Sequence, residues 1–577
     1  PRISFRGLRP GTRVKMRYAE MVYPDLPEYK GQAGMVMMEN QRSAMEQDEY
    51  VAKGGDEVFA PRGTYHGYRY VEITGVDSPV AVDQVQGVVL TSATPFATKY
   101  ECSSEPVNQL FHNTCWSTLA NVFSVPTDCP QRNERMGWSG DLSVFSPTMS
   151  YLIQGAPFFR KHLRALRDTQ LPDGAFTSIA PIGGGFGGPL WSSVGIVLPW
   201  QSWIQYGDKR ALGEHYPAMK RYADCMLNNY IDKSEGYFKG TDSWGDLGDW
   251  LGFEVNKNDN TLLFDAYCVY QLQIMEKVAK ILGKTNESLQ WADLWRQRAQ
   301  FIVSHYIDGR TGKTVGPGLG QQSKSRTKAS GESIDTETSY ALLLTFGILP
   351  DSLRDKVAGN LSDCVMNSRQ GDNGHVYPPY SLMTGFIGTA WIADALSMAG
   401  RSDLAYKMLL NENFPSWLYP VKQGATTVWE RLNSYTLQDG FGGNNSMNSF
   451  NHYAFGSVTS WLIQHSAGIC RDDSVEAFRR FIVSPEPDMT GGISWARAEY
   501  DSQQGKIVSG WKREGSKVTY HVVIPANATA ILRLHGNNLR RVVCNGRKLK
   551  MEKWRDGVYQ KELGSGQYTI VAEMPEP

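Results

Sequence analysis

The hydrophobic period of this chain changes twice, and that change constrains its fold more than any other feature. Up to about residue 98 the pattern has period two. Val14, Met16 and Tyr18 alternate with Arg13, Lys15 and Arg17, and Tyr68, Tyr70, Val71 and Ile73 form another β-rich run after the turn residues Arg62-Gly63. Period two marks strands with one buried face, so this part reads as an all-β domain of the sandwich type. In the middle, Val107, Leu110, Phe111, Cys115, Leu119 and Val122 recur at helical spacing. From about residue 473 period two returns. Val518, Tyr520, Val522 and Ile524 alternate with Lys517, Thr519, His521 and Val523, which reads as a second β-sandwich whose Trp511 and Trp554 belong to its core.

In the helical middle, periodicity marks about twelve helices. They cover roughly 105–123, 141–154, 157–170, 189–206, 209–230, 261–282, 285–306, 335–346, 351–367, 384–399, 402–412 and 452–467. Loops leading from even to odd helices are very short, as at Gly207-Asp208 and Arg401-Ser402. Loops from odd to even helices run to roughly sixteen to forty residues, a length that compact domains keep for function. Strict alternation implies six helical hairpins closed into a ring with every long loop on one rim. Closure makes the first long loop (124–140) and the last (413–451) neighbours. The expected domains are 1–104 (β-sandwich plus linker), 105–472 (helical) and 473–577 (β-sandwich).

Composition narrows the partners. Lys plus Arg and Asp plus Glu number 59 each, and a net charge of zero argues against nucleic acid or an acidic membrane surface as main partner. No run of eighteen apolar residues exists to span a membrane. The 16 Trp and 28 Tyr fit either sugar stacking or ordinary cores. Eight Cys without a CxxC pair, and dispersed His without HxxxH, give no support to a metal site or another cofactor. The start at Pro1, with no Met and no leader, reads as a processed product or a fragment.

Chemistry concentrates in two long loops. The first reads Asp128-Cys129-Pro130-Gln131-Arg132-Asn133-Glu134-Arg135-Met136-Gly137-Trp138-Ser139-Gly140-Asp141. An acid flanked by arginines has its ionised form favoured, so a proton donor here needs an enclosed carboxyl, with those arginines turned elsewhere or engaged by Asp128 and Asp141. The bland alternative is a salt-bridge cluster with Asp141 capping the next helix. The last long loop carries Trp429-Glu430-Arg431. Two carboxylates facing each other across a pocket are what glycoside hydrolysis requires; alone, Glu430 reads equally as a surface partner of Arg431. Other long loops bring Trp191, Asp242, Trp244, Asp246, Asp249 and Trp250. The run Gly183-Gly184-Gly185-Phe186-Gly187-Gly188 lacks the Lys of a phosphate loop and reads as a flexible rim loop.

Asp128 to Asp141, together with Gly424 to Arg431, closely resemble the bacterial α-L-rhamnosidases of glycoside hydrolase family 78. Tyr65 to Tyr70, Leu198-Pro199-Trp200, Gly248-Asp249-Trp250, Thr384 to Thr389 and Asn451-His452-Tyr453 extend the likeness over nearly the whole chain. The resemblance implies a central all-α (α/α)6 barrel flanked by two β-sandwiches. It also implies inverting hydrolysis of terminal α-L-rhamnosides in glycans or glycosides, with Glu134 as general acid and Glu430 as general base. The implied sugar contacts are Asp128, Arg132, Trp138, Asp141, Trp191, Trp250 and His452. Two departures matter. Asn133 stands where many members have Asp, and Ser193, in Trp191-Ser192-Ser193-Val194, replaces a carboxylate expected to touch the sugar. Ser193 keeps alive a glycosidase acting on another deoxysugar; a non-catalytic glycan-binding homologue is the third reading. Substrate size implies a periplasmic or extracellular site of action, and members often carry further upstream β-domains.

Overall fold

The computed structural model describes residues 1–93, 95–240, 247–318, 327–442, 444–536, 539 and 541–573; Asp242, Trp244 and Asp246 fall outside them. In chain order, an N-terminal β domain is followed by a helical core and then by a C-terminal β domain. The N-terminal domain has two three-stranded antiparallel sheets. One pairs Arg2–Leu8 with Gly55–Phe59 and Val85–Gln86; the other pairs Arg13–Ala19 with Gln47–Val51 and Tyr70–Thr74. Alternation sends Val14, Met16 and Tyr18 to one face, where they form a core with Ile3 and Phe5.

Every helical segment expected from periodicity contains helix. Glu105–Asn121, Ser139–Leu152, Ala156–Asp168, Asn260–Ile281, Thr285–Tyr306 and Asp351–Met366 lie within a few residues of the expected ends. Others break up: 384–399 becomes Phe386–Thr389 and Ile392–Met398, and 452–467 becomes a 3-10 turn, one α-turn and a π-turn. The short connections have a local cause. Gly207 ends Val194–Tyr206 in the left-handed region (φ 75°), and the Asp208 carboxylate at once accepts from Ala211 N to start Lys209–Cys225.

Two expectations fail. Thr98–Cys102, expected beside the N-terminal domain and its linker, pairs with Trp495–Ser502 as the edge of the C-terminal seven-stranded sheet. Such pairing spans nearly four hundred positions and leaves no local trace. Trp511 is buried and donates to Ser466 O (2.7 Å), but Trp554 is exposed, stacked by Arg533 and Arg555 at 3.7 and 4.9 Å. Two arginines offer that ring cation–π partners without burial. The eight cysteines are free thiols. No described helix is long and apolar enough to cross a membrane.

The chain divides into two compact units. The first joins Pro1–Ala93, His112–Gly137 and Pro420–Tyr453; the second joins Thr94–Phe111, Trp138–Tyr419 and Ala454–Pro577. The N-terminal β domain and the parts of the two loops that carry Glu134 and Glu430 thus belong to one unit.

Candidate active site

The first unit builds a carboxylate cluster from three pieces of chain. The helix Glu105–Asn121 supplies a polar stripe at i, i+4 and i+8. Asn113 donates to Ala425 O (3.0 Å), Ser117 Oγ accepts from Val428 N (2.9 Å), and Asn121 donates to Asn451 O (3.2 Å). These three are buried, while Cys115 and Leu119 on the expected apolar face are only half-buried. That stripe docks the last long loop, and only its spacing could have announced it.

Backbone pairing then aims the side chains. Glu430 N donates to Ser449 O (2.9 Å) and His452 N to Val428 O (2.8 Å). Trp429 enters an apolar cluster with Met21, Met37, Phe441 and Phe450, while the carboxylate of Glu430 meets Arg132. In the first long loop, Asp128 pinches the chain closed: its N–H donates to Met136 O (2.9 Å) and its Oδ1 accepts from Met136 N (2.9 Å). Arg135 completes the turn in the left-handed region (φ 43°), a conformation that costs a non-glycine residue of order 1–3 kcal/mol and needs support. The support is its guanidinium, which donates to Glu46 and to Tyr65 O (3.1 Å) and lies over the Tyr65 ring (4.9 Å).

Arg132 is the hub. Its Nη2 lies 2.9 Å from Glu134 Oε2, 3.0 Å from Glu430 Oε2 and 3.8 Å from Asp128 Oδ2, and its Nη1 donates to Met447 O (3.1 Å). A second guanidinium, Arg42 of the N-terminal domain, donates to Glu134 Oε2 (2.8 Å) and to Ser446 O (2.8 Å). Of the two arginines beside Glu134, Arg135 turns away to Glu46 and Tyr65, whereas Arg132 lies near Asp128, as one of the two expected arrangements has it, but stays on Glu134 as well. Arg132 and Glu430 are almost fully buried, whereas the Glu134 side chain keeps 18% of its surface. Glu134 thus opens toward solvent and Glu430 does not. The two carboxylate oxygens on Nη2 cannot lie further apart than the sum of their distances to it. That sum falls below the roughly 6.5–9.5 Å that separates the two carboxyls of an inverting pair.

Burial, reinforced by Glu134, pushes the Asp128 carboxyl above the usual range, while His452 and Arg132 pull it down. Asp128, Cys129 and Glu134 each bring one ligand atom within 4.8 Å of the others. Burial raises the Cys129 thiol well above its ordinary value, and a cation there would face the Arg132 guanidinium. The set fits a hydrogen-bonded cluster better than a metal centre.

Trp138, Asp141, Trp191 and Trp250 belong to the second unit. Trp138 is the N-cap residue of Ser139–Leu152, and Asp141 sits buried in that helix's first turn instead of capping it. The Trp191 ring lies flat on Gly140, where a Cβ would come within 2.5 Å of it. Trp250 is exposed. Ser193 is fully buried, donating to Leu190 O (2.6 Å) and sharing a hydrogen bond with Ser143 Oγ (2.6 Å). Its hydroxyl serves helix packing. Asn133 is exposed. Asp249 accepts from Thr338 Oγ1, Gly385 N (2.8 Å) and Gly388 N (3.0 Å), holding the 385–388 turn. The glycine run is tied down, contrary to expectation: Ser178 N donates to Gly185 O (2.8 Å) and Gly187 N to Ser178 Oγ (2.7 Å).

Residues 95–466 match the bacterial alpha-L-rhamnosidase 6 hairpin glycosidase domain, 468–548 the C-terminal domain of the same proteins, and 1–91 their concanavalin-like domain. An alpha-L-rhamnosidase of Streptomyces avermitilis is 33% identical over 566 residues, which is 97% of this chain and 49% of that protein. One from Formosa agariphila is 30% identical over 95% of this chain and 56% of its own length. The crystal structure of the Streptomyces avermitilis alpha-L-rhamnosidase complexed with L-rhamnose superposes with a TM-score of 0.85 at 32% identity, over 99% of this chain and 50% of that one. The Dictyoglomus thermophilum alpha-L-rhamnosidase does so at 0.82 and 26% identity, over 99% of this chain and 60% of the other. The chain spans about half the length of the curated relatives it matches.

Proposed function

The chain belongs to the bacterial α-L-rhamnosidase family, and from that premise we propose that it hydrolyses terminal α-L-rhamnosides, with Glu134 as general acid and Glu430 as general base. The observation that carries the reading is the Arg132 guanidinium, whose Nη2 lies within hydrogen-bond distance of both carboxylates although Glu430 is 298 positions away. The central helices form six hairpins closed as an (α/α)6 barrel between two β-sandwiches, with 105–472 as the catalytic domain.

The partly open Glu134 protonates the glycosidic oxygen, so the leaving alcohol departs neutral. To do so it exchanges the Arg132 and Arg42 donors for that oxygen. Buried Glu430 accepts a proton from water, and the oxygen of that water attacks the anomeric carbon from the opposite face. Asp128, Arg132, Asp141 and His452 bind the rhamnose hydroxyls; Trp138, Trp191 and Trp250 pack on its apolar face and methyl group. Rhamnose is preferred over another deoxysugar, because Ser193 is engaged by Leu190 and Ser143 and needs no altered sugar to satisfy it.

Inversion needs room for a water between the two carboxyls, each of which brings one oxygen close to the shared Arg132 nitrogen. The close approach on one nitrogen favours a second reading of the stereochemistry, retention, in which Glu430 attacks the sugar directly; retaining carboxyls lie about 5–5.5 Å apart. Proton NMR of an aryl α-L-rhamnoside during hydrolysis separates the two: inversion releases β-L-rhamnose first, retention the α anomer. Glu134→Gln and Glu430→Gln are each expected to lose more than about 100-fold in turnover on this substrate while melting as the parent does. Near-parental turnover in either variant removes that residue's role.

A further inference from the structure

Glu20 follows the strand Arg13–Ala19 and is buried. Its Oε2 accepts from Asn40 Nδ2 (2.9 Å) and from Phe450 N (3.0 Å). Phe450 is the neighbour of Ser449, whose carbonyl accepts from Glu430 N (2.9 Å), and its own carbonyl accepts from Thr427 Oγ1. One carboxylate of the N-terminal domain thus grips the backbone that runs opposite Glu430. Among groups of the first unit, Arg132 and Glu430 both act on the charge of Glu20. Glu20 Oε1 makes no hydrogen bond to a described residue.

We propose that Glu20 is a positioning residue for Glu430: by holding Phe450 N it fixes the segment against which the Glu430 backbone is aligned, and Asn40 in turn holds Glu20. The N-terminal β domain is then a working part of the site. Phe450 N is a donor inside the protein, and losing its acceptor lets the 449–452 segment shift. A displacement of about 1 Å at a reacting group can cost on the order of 100-fold in rate. The inference rests on the reading of Glu430 as the base.

The test compares Glu20→Ala, which removes the acceptor, with Glu20→Gln, which keeps an amide oxygen in its place. Both are assayed on an aryl α-L-rhamnoside beside Glu430→Gln and melted in parallel. The expected result is kcat lowered by about 10-fold or more in Glu20→Ala with KM within about 3-fold, and kcat restored to within about 3-fold of the parent in Glu20→Gln. A kcat for Glu20→Ala within about 3-fold of the parent overturns the proposal, as does an equal loss in both variants. If Glu20→Ala does not fold, Asn40→Ala carries the test: a fall in kcat at constant KM supports the role and an unchanged kcat overturns it. An active Glu430→Gln removes the underlying reading itself, so the two failures are distinguishable.

Discussion

At the scale of the residue, the site is organised by sharing. One guanidinium, Arg132, serves two carboxylates and lies near a third, and it is almost fully buried with Glu430. Removing one partner of a buried ion pair leaves an uncompensated charge, at a cost of about 3–5 kcal/mol. Arg132→Met is therefore expected to lower the melting temperature and abolish turnover together. Arg132→Lys is expected to keep more stability than activity, because an ammonium lacks the planar fork that reaches Met447 O and the carboxylates at once. Differential scanning calorimetry and an aryl-rhamnoside assay on both variants check this. Asp128 and Arg132 could be singled out in the sequence as polar residues in a long loop. Their division of labour could not: Asp128 closes the loop on Met136, and Arg132 crosses to Glu430.

At the scale of the element, a buried carboxylate of the second unit carries a pH dependence. Glu337 opens the helix Glu337–Thr345 after the N-cap Thr336, whose side chain accepts from Ser339 N. Burial first, then Glu254 and Asp249, push the Glu337 carboxyl up to about 8, against Arg369 and Met383 N. A raised folded-state value means that the folded protein holds a proton the unfolded chain has already lost. The stabilisation is fully present below the unfolded value of 4.5 and is lost as pH rises through about 8. Melting temperatures between about pH 5 and pH 9 are expected to fall for the parent and to fall less steeply for Glu337→Gln, whose amide stays neutral. A parallel decline in both would place the titration elsewhere. At this scale the sequence was most legible: helix positions followed from spacing, and the Gly207-Asp208 turn followed from a left-handed glycine and a capping acid. The helix Glu105–Asn121 was legible as a helix but not in its facing, since Asn113, Ser117 and Asn121 bury a polar stripe against loop backbone.

At the scale of the whole molecule, the N-terminal β domain and the parts of the two long loops that carry Glu134 and Glu430 share a unit, joined through Met21 and Met37 beside Trp429, Glu20 on Phe450, and Arg42 on Glu134. A chain lacking residues 1–93 is expected to keep a helical far-ultraviolet circular dichroism signal and lose rhamnosidase turnover, because Trp429 loses its packing and Glu134 loses one guanidinium. Retained turnover in that truncation would mean the loops order themselves.

The succession of strands, helices and strands, the short turns and the two acid-bearing loops were determined by the sequence alone, because period, capping and loop length are local properties of the chain. The meeting of Glu134 with Glu430 on one nitrogen, the sealing of Ser193 among helices, the pairing of Thr98–Cys102 with Trp495–Ser502 and the entry of Glu20 and Arg42 into the site were decided only in three dimensions. Each depends on contacts between residues dozens to hundreds of positions apart, whose energies come from burial and shared charge and leave no periodic mark on the chain.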